Sequence, residues 1–385
     1  MARRLYAYAF LEDLIPLYPV YAVLFAGAGL SEAGISSLFA VWSLTAFLLE
    51  VPSGVWADRF SRRALLFVAP LLAGAGFTLW TLWPCYASFA AGFVLWGAGS
   101  ALRSGALQAL VHEELNRVGA RHAYARLTGR AQALGTTAAL VATALAGPLL
   151  AAGGVRAVGL ASVAVTVLTA ASALALPEPR ARAAAPAEAG AAASYTGLLR
   201  EALGQARHTP GAGRMVAVVS LLAGATALDE YVPLLAQATG VRASHVPLLV
   251  LLVTAGAVAG GWLAGRGTRW APLAPVAAAV CLAAGAAGAH PAGVALVALA
   301  FGVLDWATTA ADAALQERIT DRTRATVTSL AGLGSEAGSL LLFGLWALGS
   351  HWSGPGPLFA LAALPLLLPV LLLWRCNIFP PSRRQ

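Results

Sequence analysis

At 385 residues, with 59% hydrophobic and only 11% charged side chains, the chain is too apolar for a soluble globular domain, in which about 25% of residues are charged. The formal net charge is +8, but the basic residues are spread between apolar runs, and the mean hydropathy is +0.75, which excludes a nucleic-acid-binding surface. Runs of roughly 20 apolar residues, each able to cross a bilayer, recur from end to end.

Hydropathy places about twelve spans: near 5–27, 34–57, 64–83, 88–110, 124–150 and 155–176, then near 214–238, 244–265, 271–289, 292–316, 325–350 and 355–374. Glu12 and Asp13 interrupt the first apolar run, which is not the pattern of a cleavable signal. Between the second and third runs lies a short charged turn, Gly54-Val55-Trp56-Ala57-Asp58-Arg59-Phe60-Ser61-Arg62-Arg63. Read physically, it joins two membrane helices and its arginines hold the turn at the cytoplasmic face.

The pattern Gly54-x-x-x-Asp58-Arg59-x-Ser61-Arg62-Arg63 resembles the loop 2–3 signature of the major facilitator superfamily, written G-x-x-x-D-R-x-G-R-R/K, with Ser61 at the usual glycine. The resemblance implies an all-α integral membrane fold of two pseudo-symmetric six-helix bundles working by alternating access. It also implies a conformational latch at Gly54, Asp58, Arg59, Arg62 and Arg63, in which the carboxylate reaches a helix N-terminus in one conformation and leaves it in the other, an attraction the helix dipole supports.

All 25 basic residues are arginine. On the span assignment above, 22 of them fall at one face, only Arg156 and Arg242 at the other, and Arg103 inside a span. The bias orients a multi-pass protein of the cell inner membrane with both termini cytoplasmic. The three cysteines have no metal-ligand or disulfide spacing.

Residues 177–193 are rich in alanine, proline and charge and read as a linker. Leu198, Leu199, Ala202, Leu203 and Ala206 follow at helical spacing, the pattern of a surface amphipathic helix. The expected organisation is a first six-helix bundle at 1–176, a cytoplasmic linker at 177–213 and a second bundle at 214–385. The halves repeat: Leu11-Glu12-Asp13-Leu14-Ile15-Pro16 returns as Leu228-Asp229-Glu230-Tyr231-Val232-Pro233, and Ala106-Leu107-Gln108 as Ala314-Leu315-Gln316. That fits the parallel repeat of the superfamily.

Ionisable groups at membrane depth are functional candidates. In the first half, Asp13, Glu50 and Arg103 fall at similar depth, and Arg103 is expected to pair with Glu50 or with Glu12/Asp13. In the second half Glu230, Asp305 and Glu336 lie in apolar runs that contain no internal arginine, so they are candidates for proton coupling. These six form the expected substrate and proton pathway, with a static ion pair as the alternative for the first three. Trp80, Trp83, Trp352 and Trp374 near span ends read as interfacial anchors, whereas Trp42, Trp96 and Trp306 either line a cavity or pack the core. Gly147-Pro148 resembles part of the helix 5 motif of the superfamily's antiporters, although Ala151-Ala152 replace its last glycines.

No Walker motif, nucleophile elbow, zinc spacing or phosphate loop appears, which disfavours an enzyme and calls for no cofactor or metal. The expected activity is proton-coupled efflux of small molecules, drugs or amphiphilic metabolites, by a monomer in the lipid bilayer. The alternatives are an uptake symporter or uniporter, or a non-transporting sensor or scaffold on the same fold.

Overall fold

The computed structural model describes residues 1–177, 212–264, 266, 270–288, 290–319 and 321–374. Among them every regular element is helical. The linker and its expected amphipathic helix lie outside the described residues.

Two units share the chain. The first gathers the described residues of Met1–Ala184 together with Arg242–Leu251, and the second those of Ala185–Val241 and Leu252–Gln385. The first half of the chain supplies α1 (Ala2–Asp13), α2 (Tyr21–Gly27), α3 (Glu32–Arg59), α4 (Arg62–Leu82), α5 (Tyr86–Arg117) and α6 (Tyr124–Ala173). The second half supplies α7 (Ala212–Ala225), a 3₁₀ turn (Thr226–Tyr231), α8 (Val232–Ala238), α9 (Val246–Leu263), α10 (Ala274–Ala287), α11 (Gly293–Gln316) and α12 (Asp321–Gly349). It ends with α13 (Pro355–Ala362), a second 3₁₀ turn (Leu364–Leu367) and α14 (Leu368–Trp374).

Each of the twelve expected spans meets helix, but not always one helix. The first is split into α1 and α2, because Pro16 and Pro19 lack the N–H groups that would carry the ladder across. The seventh breaks at the matching place: its acids sit on the 3₁₀ turn, and Pro233 opens α8. The repeat seen in the sequence is therefore a repeat of broken spans. Spans five and six are one continuous helical run interrupted at Gly153 and Gly154. Gly154 has φ 62°, a left-handed value that favours glycine. The interruption falls there and not at Pro148, through which the helix continues.

Ser61 explains the departure from the loop signature. Its hydroxyl accepts a hydrogen bond from the Ala64 N–H at 3.2 Å and so caps the start of α4, a role glycine cannot fill with a side chain.

The end of the first unit around α2 is held by aromatic rings. Tyr21, Phe25, Phe39, Phe77, Trp80, Phe89 and Phe93 are all buried. Phe25 lies 4.3 Å from Phe89, and Trp80 lies 4.8 Å from Phe93, measured between ring centres. Each such pair contributes about 0.5–1.5 kcal/mol beyond its buried area. The Trp80 indole donates to the Phe89 carbonyl at 3.1 Å. Trp80 is thus a core residue, not the interfacial anchor its place in the sequence suggested; Trp83 and Trp352 are 59% and 75% exposed.

Candidate functional site

A cavity of about 260 Å³ opens within the first unit between α1, α5 and α6. On α1, Leu5, Tyr8 and Glu12 share one helical face; Leu5 and Tyr8 are buried, and Tyr8 donates to the Leu66 carbonyl at 3.2 Å. That packing carries Glu12 inward. Arg103 on α5 places its Nε 3.0 Å from Glu12 Oε1. Asp13 lines the same cavity with Gln108 and Gln132. Its carboxylate lies against Gly135 of α6, where a side chain would collide with it.

The pair is charge-matched but not hydrogen-bond-matched. Glu12 Oε1 faces the Arg103 Nε, while Glu12 Oε2 is buried without a hydrogen-bond partner. A buried polar group left unmet costs about 1–3 kcal/mol, so the cluster gains whenever a polar guest satisfies it. The site is thus anchored by one ion pair and still able to bind.

Of the expected first-half residues, the structure brings Asp13 and Arg103 together and leaves Glu50 elsewhere. Glu50 is exposed and forms no ion pair among the described residues, so Arg103 takes the Glu12 alternative. The reason is register: Glu12 shares the face fixed by Leu5 and Tyr8. The spacing of apolar neighbours in the sequence could have selected Glu12 over Asp13.

In the second unit Asp229 lies close enough to Asp305 for the two carboxyls to interact electrostatically. Neither forms a salt bridge among the described residues. Glu230, the expected pathway residue, shares the 3₁₀ turn with Asp229. Glu336 sits on α12 where that helix packs closely on α7, with Ser220 donating to the Ala331 carbonyl at 3.1 Å.

Of the expected latch, the side chains of Asp58 and Arg59 and the surroundings of Gly54 lie outside the described residues. Arg62 forms an ion pair with Glu113 near the end of α5, a partner not foreseen from sequence. Arg63 is half-buried at the first turn of α4. Beside Glu113 in the chain, Glu114 accepts two bonds from Arg117, at 2.6 and 2.9 Å, and that guanidinium holds the Glu114 carboxyl below its ordinary value. Gly147 packs against the Ser244 carbonyl within the first unit, and Pro148 follows inside α6.

Comparison with known proteins agrees with this architecture. No curated protein sequence matches the chain. Among solved structures, the nucleoside transporter NupG, in a point-mutant form, superposes with a TM-score of 0.78 over 98% of this chain and 99% of its own, at 13% identity. A second NupG structure gives 0.73 over 99% of each chain, again at 13% identity. A bacterial homologue of the human lysosomal transporter Spinster, inward-facing and unoccupied, gives 0.67 over 96% and 93%, at 16% identity. At such identities the likeness is one of fold. The family profile described as Major Facilitator Superfamily matches residues 7–341. The chain belongs to the major facilitator superfamily and is a multi-pass membrane transporter, not an enzyme.

Proposed function

We propose that this transporter exports small polar or amphiphilic molecules in exchange for protons, with both termini in the cytoplasm. The observation that carries the reading is the first-unit cavity, in which the Glu12–Arg103 pair leaves Glu12 Oε2 buried without a hydrogen-bond partner. A guest that carries a donor satisfies it, and its departure restores the cost; this is how a site binds without trapping. Asp229 and Asp305, which sense each other electrostatically, supply carboxyls at membrane depth for the proton. Alternating access then exposes the two clusters to each side in turn. Glu230, Glu336 and Glu50 remain candidate stations on the pathway, Gly54, Asp58, Arg59, Arg62 and Arg63 the candidate latch, and Gly147-Pro148 the antiporter-like element.

Proteoliposomes with an imposed pH gradient test the coupling. Substrate-triggered proton movement is expected in the wild type, with loss of coupling in Asp305→Asn and loss of substrate binding in Arg103→Gln. Transport indifferent to the gradient in both wild type and Asp305→Asn would rule the exchange out.

Uptake of a planar solute is the second reading. It is favoured by the stack in which Tyr18 and Trp42 lie 5.0 and 5.1 Å from Trp96, with the Trp42 indole N–H buried and unpartnered among the described residues. NupG, a nucleoside transporter, shares the fold. Counterflow assays with labelled nucleosides separate the two readings.

A further inference from the structure

A second hollow lies in the other unit and has different chemistry. It is a trough of about 950 Å³ on α9, α10 and α11, lined almost wholly by carbon. It exists because α9 and α11 cross backbone to backbone. A Cβ on Gly256 would collide with the Ala298 carbonyl, and one on Gly260 with Gly302, so no side chain fills the space beside the crossing. Ala277 of α10 forms the facing wall and is exposed, as is Ala259 of α9.

Its polarity is confined to one end. There Trp306 spends its indole N–H on the Leu263 and Arg266 carbonyls, at 3.2 and 3.1 Å, so it asks nothing of a guest. Trp270, 55% exposed, stands beside them, as an aromatic residue does at the headgroup level. The Arg266 guanidinium is exposed and forms no ion pair among the described residues. A long apolar groove ending in an exposed cation at the interface is complementary to an amphiphile with an anionic head. A soluble anion has no use for the groove, and a neutral lipid none for the arginine.

We propose that this trough binds an anionic phospholipid, its acyl chain along the α9–α11 crossing and its phosphate on Arg266. The trough and the acid-lined cavity lie in different units.

Native mass spectrometry of the full-length protein in mild detergent, with phosphatidylglycerol or phosphatidylcholine added, tests it. Wild type is expected to retain phosphatidylglycerol about fivefold more strongly. Arg266→Gln should level the two lipids, while Arg156→Gln, at an exposed arginine in the first unit, should not. Ala259→Phe and Ala277→Phe, which fill the trough from opposite walls, should weaken retention of both lipids. Equal retention by wild type, equal losses in Arg266→Gln and Arg156→Gln, or full retention in both phenylalanine variants would each overturn the proposal. So would displacement of the lipid by glycerol phosphate alone, which would make this a free-anion site.

Discussion

Single side chains carry different risks in the middle of α5 and at its end. Arg103, deep in the span, is matched by Glu12 across 3.0 Å. Removing one member of a buried pair strands the other, so Glu12→Gln alone should cost about 2 kcal/mol of stability, and the double change Glu12→Gln/Arg103→Gln should cost less than the sum of the singles. Thermal unfolding of the four proteins in one detergent measures that cycle; strict additivity would show that the two charges do not interact. Near the helix end, Arg117 depresses the Glu114 carboxyl. A depressed carboxyl stabilises the fold above its unfolded pKa, about 4.3, and the benefit fades as pH falls through the lower folded value. Glu114→Gln should therefore lower the melting temperature at pH 7, and the gap from wild type should close below about pH 4. A gap unchanged with pH would mean that the carboxylate charge contributes nothing.

Helices of this chain meet through small residues, and the α9–α11 crossing is the tightest test. Gly260→Val should prevent that approach and abolish folded, monodisperse protein in size-exclusion chromatography, since the obstacle is the Gly302 backbone and not a side chain able to turn away. Elements were the most legible level of the sequence. Apolar runs marked each span, and the twice-used acid–proline pattern marked both broken ones, because a missing N–H acts locally. The site was legible by residue type but not by partner. Asp13 and Arg103 stood out as charges in apolar surroundings and Glu12 was one of the partners expected for Arg103, yet the choice against Glu50, and Glu113 as the partner of Arg62, came through helix rotation, which depends on which neighbours pack. Trp80 was misplaced for the same reason: proximity to a span end says nothing about whether its face turns toward Phe93 or toward lipid.

For the molecule as a whole, the two units each own a core, but Arg242–Leu251 belongs with the first although the second half of the sequence supplies it. Two chains cut within 178–211 and co-expressed should therefore associate and retain transport, because the segment 242–251 gives the second chain a seat on the first unit. Failure of the halves to co-purify would place essential structure in the linker. The arginine asymmetry makes a companion statement: reporter fusions at both termini should read cytoplasmic, a periplasmic reading at both would reverse the proposed direction of every step, and a split reading would contradict twelve spans.

The break in the first span has its own mechanical meaning. Residues 15–20 are tied by short-range bonds, Tyr18 N–H to Ile15 and Val20 N–H to Leu17, while the Leu17 N–H reaches across 3.0 Å to the Ser162 hydroxyl. Above the break, Tyr21 and Phe25 are clamped among rings; below it, α1 packs through Leu5 and Tyr8 and carries Glu12 and Asp13. Between two packed helices, residues 14–20 therefore have the weakest backbone ladder of the span. Deuterium uptake should be fastest at the amides of 14–20, slow in 21–27, and quickened at 14–20 by Ser162→Ala, which cuts the tether.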